Sequence, residues 1–472
     1  MSSSSSKNTE RMGSAPVLGL IFKMSLPAMF SMLIQALYNV VDSMFLGAYG
    51  GNSDALTAVS LAYPMQLLLV AFAVGTGVGV NSVIARRLGE GRRKDAEYAA
   101  THGVLLAVVT WAFFALIGIF FSAPFMKLLN SGSEQIVTYG TEYLTIALVF
   151  SLGSFVQVML EKSIQATGNM LLPMVSHIIG AVTNIVLDWL LIFGVGFFPE
   201  LGVRGAAVAT VAGQWIAMFF LIFVLLKKNT GIKISFKGFK LKMEVIKDIY
   251  KVGLSGIVMQ AVGSLTVALI NIIIKTSGAY GADVSTAAQT VYGVYYKIQS
   301  FVFMPVFGLN QGISPIMGYN YGAKIKVRLM KTLKYAVIIA AIIMLCGTIV
   351  FHTVPELLLN LFGLEPDYID IGIVALRRIS LCFLPASIGV VFTALFQSVG
   401  KGVRSLLMSL LRQVIMILPL AFIFSRIEIN LMWFAFPIAE FVALVVAIVF
   451  FIELNKKDFS KLGNSEDLSA YK

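Results

Sequence analysis

The chain has 472 residues, of which 58% are hydrophobic and only 13% are charged, and its mean hydropathy is +0.86. This composition excludes an ordinary soluble domain, in which about a quarter of the residues are charged. The net charge of +12 does not indicate a nucleic-acid partner, because the basic residues cluster in short segments between apolar stretches. We therefore expect an all-α polytopic protein in a lipid bilayer.

Twelve apolar segments along the chain are each long enough to cross a bilayer. They lie near residues 16–47, 56–83, 101–123, 137–160, 171–195, 206–226, 249–274, 287–315, 335–352, 370–398, 405–424 and 431–453. An even number of spans places both termini on one side of the membrane. The loops on that side carry 21 lysines and arginines, whereas the opposite loops carry four. Because basic loops stay in the cytoplasm, we predict a multi-pass protein of the cell membrane with cytoplasmic termini.

The longest basic segment separates two groups of six spans. We predict a disordered N-terminus at 1–15, six-helix bundles at 16–226 and 249–453, a linker at 227–248 and a C-terminal tail at 454–472.

The two bundles repeat each other at an offset of 233 residues. The repeated residues are Tyr63, Gln66, Gly75, Gly79 and Gly89, which recur as Tyr296, Gln299, Gly308, Gly312 and Gly322. Two halves with the same orientation are typical of secondary transporters that bind substrate between the halves. The spacing of the glycines predicts close helix packing.

Asp42 lies inside the first apolar segment. A carboxylate near the middle of a spanning helix costs roughly 2.5–3.5 kcal/mol on insertion scales, so such residues are commonly functional. Steps of 100° per residue place Gln35, Tyr38 and Asn39 on the same helix face as Asp42, and we expect Gln35 and Asn39 to contact the substrate.

The fifth span presents a second acidic face. The same helical arithmetic aligns His177, Asn184 and Asp188 there. Two buried carboxyl groups could take up a proton near neutral pH, because burial and a neighbouring charge both disfavour ionisation. Together with Asn184 they could instead supply the oxygen ligands of Na⁺. A polar core without a transport role is a third interpretation.

The second half presents amides and aromatic rings in place of this acid pair. Amides and rings on spans seven and eight suggest a surface for flat, partly cationic compounds, and ordinary helix packing explains them equally well. The residues concerned are Gln260, Asn271, Tyr292, Tyr295, Tyr296 and Gln299. Glu440 on span twelve either pairs with an arginine or contacts a cationic substrate; the arginines considered are Arg412, Arg377 and Arg378.

Motifs that carry other chemistry are missing from the sequence. It contains no phosphate-binding loop, no GxSxG, no HExxH and no Cys/His spacing for a metal. We therefore expect neither an enzyme nor an ATP-driven pump, and no cofactor beyond a coupling ion.

Five motifs together resemble the multidrug and toxic compound extrusion family over residues 16–453. They are NVVDSMFLG, QATGN, NIVLDWLLIFG, GVRGAAVATVAGQ and PVFGLNQGISPIMGYNYGAK. The resemblance implies two six-helix bundles around a central cleft, in a protein that acts as a monomer. It also implies efflux of drug-like organic cations in exchange for H⁺ or Na⁺.

The resemblance further implies which residues couple transport to the ion. Asp42, Asn184 and Asp188 match the family's coupling residues in the first half, with Tyr38 one turn before Asp42 and Thr210 in span six. Asp42, Asn184 and Asp188 would be the metal ligands if the ion is Na⁺.

Two other functions stay open at this point. A lipid-linked oligosaccharide flippase shares the same architecture, and it would need several basic residues in its cavity. An ion channel would need a selectivity filter or rings of like charge.

Overall fold

The computed structural model describes residues 4–49, 54–129, 132–227, 230–277, 281–361 and 366–463. Most of the described chain is helical, and 230–242 is the longest described segment outside a helix. Helices are expected in lipid, where the backbone polar groups need partners within the segment itself. The helices are α1 Ser4–Ser14, α2 Val17–Ala48, α3 Asp54–Gly89, α4 Arg93–Leu129, α5 Glu134–Val149, α6 Leu152–Ala166, α7 Leu171–Phe193, α8 Val203–Lys227, α9 Met243–Thr276, α10 Gly281–Gly322, α11 Lys326–Thr353, α12 Pro355–Leu361, α13 Pro366–Ser380, α14 Phe383–Ser398, α15 Gly402–Leu410, α16 Leu418–Ile427, α17 Ile429–Met432 and α18 Ala435–Lys457. A π-helical segment, Leu411–Ile417, joins α15 to α16.

Nine stretches of the described chain are long and apolar enough to cross a membrane, and two bent pairs add two more. The bent pairs are α5 with α6 and α13 with α14. Helix α10 has 42 residues and contains the predicted eighth span. The all-helical fold class is therefore confirmed, and these segments are consistent with the predicted count of twelve spans.

The two bent spans occupy equivalent places in the repeat, with bends of 45° and 47°. In the first half, the carbonyl groups freed at the bend accept hydrogen bonds from two indoles. Trp111 Nε1 donates to Val149 O at 2.8 Å, and Trp215 Nε1 donates to Phe150 O at 2.9 Å. In the second half, Thr348 Oγ1 donates to Ser380 O at 3.3 Å.

The two halves contact each other along α2 with α10 and along α3 with α9. Glycines make the closest approaches in this contact. A methyl group at any of them would overlap a facing residue, with its backbone in five cases and with the Ser25 hydroxyl in the sixth. The approaches are Gly75 to Ile257, Gly79 to Ile249, Gly89 to Tyr319, Gly308 to Met29, Gly312 to Ser25 and Gly322 to Arg86. The predicted close packing at the repeated glycines is confirmed.

Hydrogen bonds between the halves gather at the same end of the molecule, beside the basic loops. Ser82 Oγ donates to Gln397 O at 2.6 Å. Lys162 Nζ donates to Gln311 Oε1 at 2.9 Å. We call the region formed by these glycines and polar residues the closed end.

The N-terminus differs from the expected disordered segment, because residues 4–14 form helix α1. Met12 is fully buried, and its carbonyl oxygen accepts hydrogen bonds from Asn320 Nδ2 at 3.0 Å and Arg328 Nη2 at 3.3 Å. The polar composition suggested disorder, but buried partners in the second half hold the helix. The other domain boundaries stay predictions.

Candidate functional site

Helices α2 and α7 bring Asp42 and Asp188 together, as the sequence predicted. Asp188 is fully buried and Asp42 is half-buried. Each carboxyl group is within hydrogen-bonding reach of the other. A hydrogen bond between two carboxyl groups requires a proton on one of them, and two bare carboxylates would repel each other.

Four buried oxygen atoms at this site accept no hydrogen bond from the protein. They are Asp42 Oδ1, Asn184 Oδ1 and both carboxyl oxygens of Asp188. Asn184 also contacts the neighbouring helix, since its Nδ2 donates to Thr210 Oγ1 at 3.3 Å. Buried acceptors without donors are costly, so this set has the chemistry to hold a proton or a small cation.

Tyrosines surround the acid pair. Tyr38 lies within electrostatic range of both carboxyl groups. Tyr143 of α5 is buried and also lies within range of both, while its hydroxyl accepts a hydrogen bond from Gln66 Nε2 at 2.8 Å. Sequence reasoning missed Tyr143, which carries no repeat or motif. Gln66 had a signal, because it is repeated as Gln299.

His177 does not join the acid pair, although it shares a predicted face with Asp188. Its Nε2 lies 3.1 Å from Glu161 Oε2, and Gln157 Nε2 donates to the other carboxyl oxygen of Glu161 at 3.0 Å. The position of Glu161 beside Lys162, at the end of the fourth apolar segment, suggests an interfacial residue, but in the structure Glu161 is buried. The carboxylate of Glu161 therefore has both of these partners, His177 and Gln157, within the first half.

The remaining predicted residues of span one are less informative. Gln35 is half-buried on α2. The side chain of Asn39 lies outside the described part of the structure.

The predicted surface of the second half is smaller than expected. Tyr292 is only 2% exposed, because its ring stacks on Trp433 and packs against Phe436. Asn271 donates to Val267 O at 3.1 Å within α9. Gln260 is exposed and Gln299 is half-buried, so both stay candidates for the wall of a cleft.

Tyr63 and Tyr296 define open space between the halves. These repeat-related residues are 54% and 45% exposed. The hydroxyl of Tyr63 lies within electrostatic range of Tyr38 in the first half and of Tyr296 in the second. Tyr63 therefore connects the surroundings of the acid pair to the exposed face of the second half.

The structure resolves the partner of Glu440. Arg412 Nη1 lies 3.2 Å from Glu440 Oε1. Arg378 is engaged elsewhere, because it donates to Asn430 O at 2.5 Å and covers the ring of Phe434. The second half thus holds an ion pair between spans eleven and twelve, whereas the first half holds two acids on spans one and five.

Within the described residues, no cluster of three or more His, Cys, Asp or Glu side chains could hold a metal ion. An all-helical membrane fold with an internal repeat and a buried acid pair is typical of a membrane transport protein.

Comparisons with known proteins agree with this class. Residues 27–190 and 260–423 each match the MatE family, and the two matches are separated by the repeat offset found in the sequence. The chain therefore belongs to the MatE family. Its members are transporters and not enzymes.

Relatives and solved structures cover nearly the whole chain. The multidrug export protein MepA of Staphylococcus haemolyticus is 26% identical over 404 residues, which is 85% of this chain and 86% of that protein. MepA of Staphylococcus aureus is 24% identical over 413 residues, 88% of each chain. An outward-facing multidrug resistance transporter of the MATE family superposes with a TM-score of 0.87 at 24% identity, covering 96% of this chain and 98% of that one.

Proposed function

We propose that this chain is a secondary active multidrug efflux transporter. It exports organic cations and amphipathic drugs as a monomer, in exchange for H⁺ or Na⁺, by alternating access. The similarity to the two MepA proteins supports drug export, because those relatives are multidrug export proteins.

The acid pair carries the proposal of ion coupling. Asp42 and Asp188 lie within reach of each other, and four buried oxygens at the site lack a protein donor. A proton on one carboxyl group would donate a hydrogen bond to the other, and a Na⁺ would be coordinated by several of these oxygens; either ion lowers the repulsion between the carboxylates. A coupling ion that enters from the cleft therefore changes the charge of the surface that faces a cationic drug.

The orientation of the chain sets the direction of transport. The closed end lies beside the basic loops. We place the protein in the cell membrane, with these loops in the cytoplasm. The cleft then opens to the outside. In this state the ion binds at Asp42 and Asp188 and weakens the binding of a cationic drug, which leaves outward.

The ion gradient supplies the energy, and the membrane potential contributes only when more positive charge enters than leaves. One charge that crosses 100 mV releases about 2.3 kcal/mol, enough for roughly a fifty-fold gradient of a neutral substrate.

A flippase for lipid-linked oligosaccharides fits the structure less well, because its cavity would need unpaired basic residues. Arg412 is paired with Glu440 and Arg378 donates to a backbone carbonyl group, which leaves Lys297 and Arg377 as the basic residues that such a cavity could use.

Ethidium efflux from inverted and right-side-out vesicles tests the proposal. A pH gradient and a Na⁺ gradient are imposed separately, with empty-vector vesicles as the control. Efflux driven by one gradient and abolished by collapsing it supports antiport and identifies the ion. Absence of ethidium movement under both gradients would contradict drug–ion exchange, and transport of a pyrophosphate-linked lipid would favour the flippase.

A further inference from the structure

The second half contains a polar site that the proposed ion exchange does not use. Arg412 and Glu440 form an ion pair of 3.2 Å inside the membrane-spanning region. Neither side chain is sealed from water, since the arginine is 19% exposed and the glutamate is 11% exposed. Both charges therefore keep some access from outside the packed core.

The backbone around Arg412 is unusual. Residues 411–417 form a π-helical segment in the middle of span eleven, between α15 and α16. Short π-helical insertions are rare and are found frequently at functional sites. This segment also carries Gln413, whose Oε1 is buried and accepts no hydrogen bond from the protein.

Glycines leave space beside the pair. At Gly389 of α14, an added methyl group would meet only Glu440 Oε2, at 4.0 Å. At Gly263 of α9, it would meet only the amide of Gln413, at 3.7 Å or more. These positions contrast with the crowded glycines of the closed end, so small side chains here leave room next to the charged groups.

An aromatic ring borders this space on the cleft side. Arg412 lies within electrostatic range of the half-exposed Tyr296. A flat ring system that contacts Tyr296 would bring its substituents toward Arg412 and Glu440, because cationic rings stack favourably on tyrosine.

We propose that Arg412 and Glu440 form a second substrate site, which selects flat zwitterionic compounds. The inference rests on the proposed efflux function and names a substrate class that the acid pair alone does not favour. The guanidinium group of Arg412 binds the substrate carboxylate, and Glu440 binds the substrate cation. Gln413 Oε1 accepts a hydrogen bond from a donor on the ligand.

Charge balance explains why a zwitterion fits this pair. A ligand with a single positive charge could engage Glu440 only by leaving Arg412 as an unpaired charge in a poorly hydrated site, which is costly. A ligand with both charges exchanges one ion pair for two. Arginine also binds carboxylates through two parallel hydrogen bonds, which adds geometric selectivity.

Two rhodamine dyes differ by this one feature and test the proposal. Rhodamine 110 carries a free carboxylate, whereas rhodamine 123 is its methyl ester and carries only the positive charge. The measured quantity is the ratio of their efflux rates from the same vesicles. The test variant is Arg412→Met with Glu440→Met, because replacing both members of a buried pair by apolar residues commonly preserves folding.

A second ion pair between the same two spans provides the matched control. Arg404 Nη2 lies 3.1 Å from Glu453 Oε2, near the end of α18. The control variant is Arg404→Met with Glu453→Met. Both variants are checked for ethidium efflux above the level of an Asp42→Asn protein, which shows that each is still a working transporter.

We expect the test variant to lower the ratio of rhodamine 110 to rhodamine 123 efflux by about tenfold or more. This is the effect of losing one hydrogen bond to a charged group of the substrate. The control variant should keep the wild-type ratio. An unchanged ratio in the test variant, or an equal fall in both variants, overturns the second site. A wild-type protein that exports neither dye nor ethidium contradicts the efflux function itself.

Discussion

The two halves of this transporter share a helical plan and differ in their polar chemistry. In the first half, α2, α7 and α8 enclose Asp42, Asp188, Asn184 and Thr210, with no basic side chain among them. In the second half, the equivalent helices are α9, the segment around Leu411–Ile417 and α18, and they enclose Arg412 with Glu440. The contacts between the halves follow the repeat, because glycines at equivalent positions of both halves make the close approaches. The comparison teaches that two halves built on one repeat can carry different polar chemistry, which fits the tasks we propose, coupling in the first half and selection in the second.

Removing a charge from the first half should have the largest effect. We expect Asp42→Asn or Asp188→Asn to abolish coupled ethidium efflux, because an amide cannot exchange a proton and is a weaker ligand for Na⁺. Efflux is measured in vesicles under the gradient that drives the wild-type protein.

Asp370→Asn is the matched control for this prediction, since Asp370 is an exposed acid at the edge of a span of the second half. It should leave efflux unchanged. Undiminished coupled efflux from Asp42→Asn would remove the functional distinction between the halves.

A smaller effect is expected where the halves are alike, at the closed end. Gly79→Leu should lower efflux by about tenfold, because the side chain would overlap the Ile249 carbonyl group and overpacking costs roughly 1–3 kcal/mol against the closed state. Its repeat partner, Gly312→Leu, should behave similarly against Ser25. The control is Gly19→Leu, where an added methyl group meets nothing within 4 Å.

Labelling reports the closed state directly. A cysteine at Ser82, in a protein without Cys346 and Cys382, is buried at the closed end in the wild-type structure. We expect Gly79→Leu to raise its modification by a membrane-impermeant maleimide from the basic-loop side. If the Gly79→Leu protein is modified only as much as the protein with Gly79 and also transports normally, the closed end accepts a larger side chain and does not close as described.

The smallest effects should appear at the two bends. Trp111→Phe removes the donor to Val149 O and should destabilise the protein by about 1–3 kcal/mol. In lipid, no water molecule can take the place of the lost indole donor at this carbonyl group. Thr348→Val in the second half should cost less, because its bond to Ser380 O is longer, at 3.3 Å. Melting temperatures in detergent measure both, and a larger loss from Thr348→Val would reverse the ranking.

Much of the architecture was predictable because it leaves periodic signals. Apolar runs defined the spans, and identical residues at one offset defined the repeat, which the two family matches reproduce. Asp42 and Asp188 were predictable too, because a carboxylate inside an apolar helix stands out against its neighbours.

Other features left no signal in the sequence. Tyr143 is an ordinary tyrosine until packing places it beside two acids of other helices. Glu161 looked interfacial because it precedes Lys162, and only the tertiary fold supplies His177 as its partner. The π-helical segment depends on how α15 and α16 join under packing from α18, which local propensity does not encode.

The glycines of the closed end have a consequence for how this protein can change over time. Every close approach there leaves no room for a larger side chain, so this surface has almost no freedom to accept substitutions. The exposed walls around Tyr63, Tyr296 and Gln260 are not part of that contact. Selection by a new toxic compound can therefore change the substrate range through single substitutions in these walls, while the glycine contact between the halves is retained.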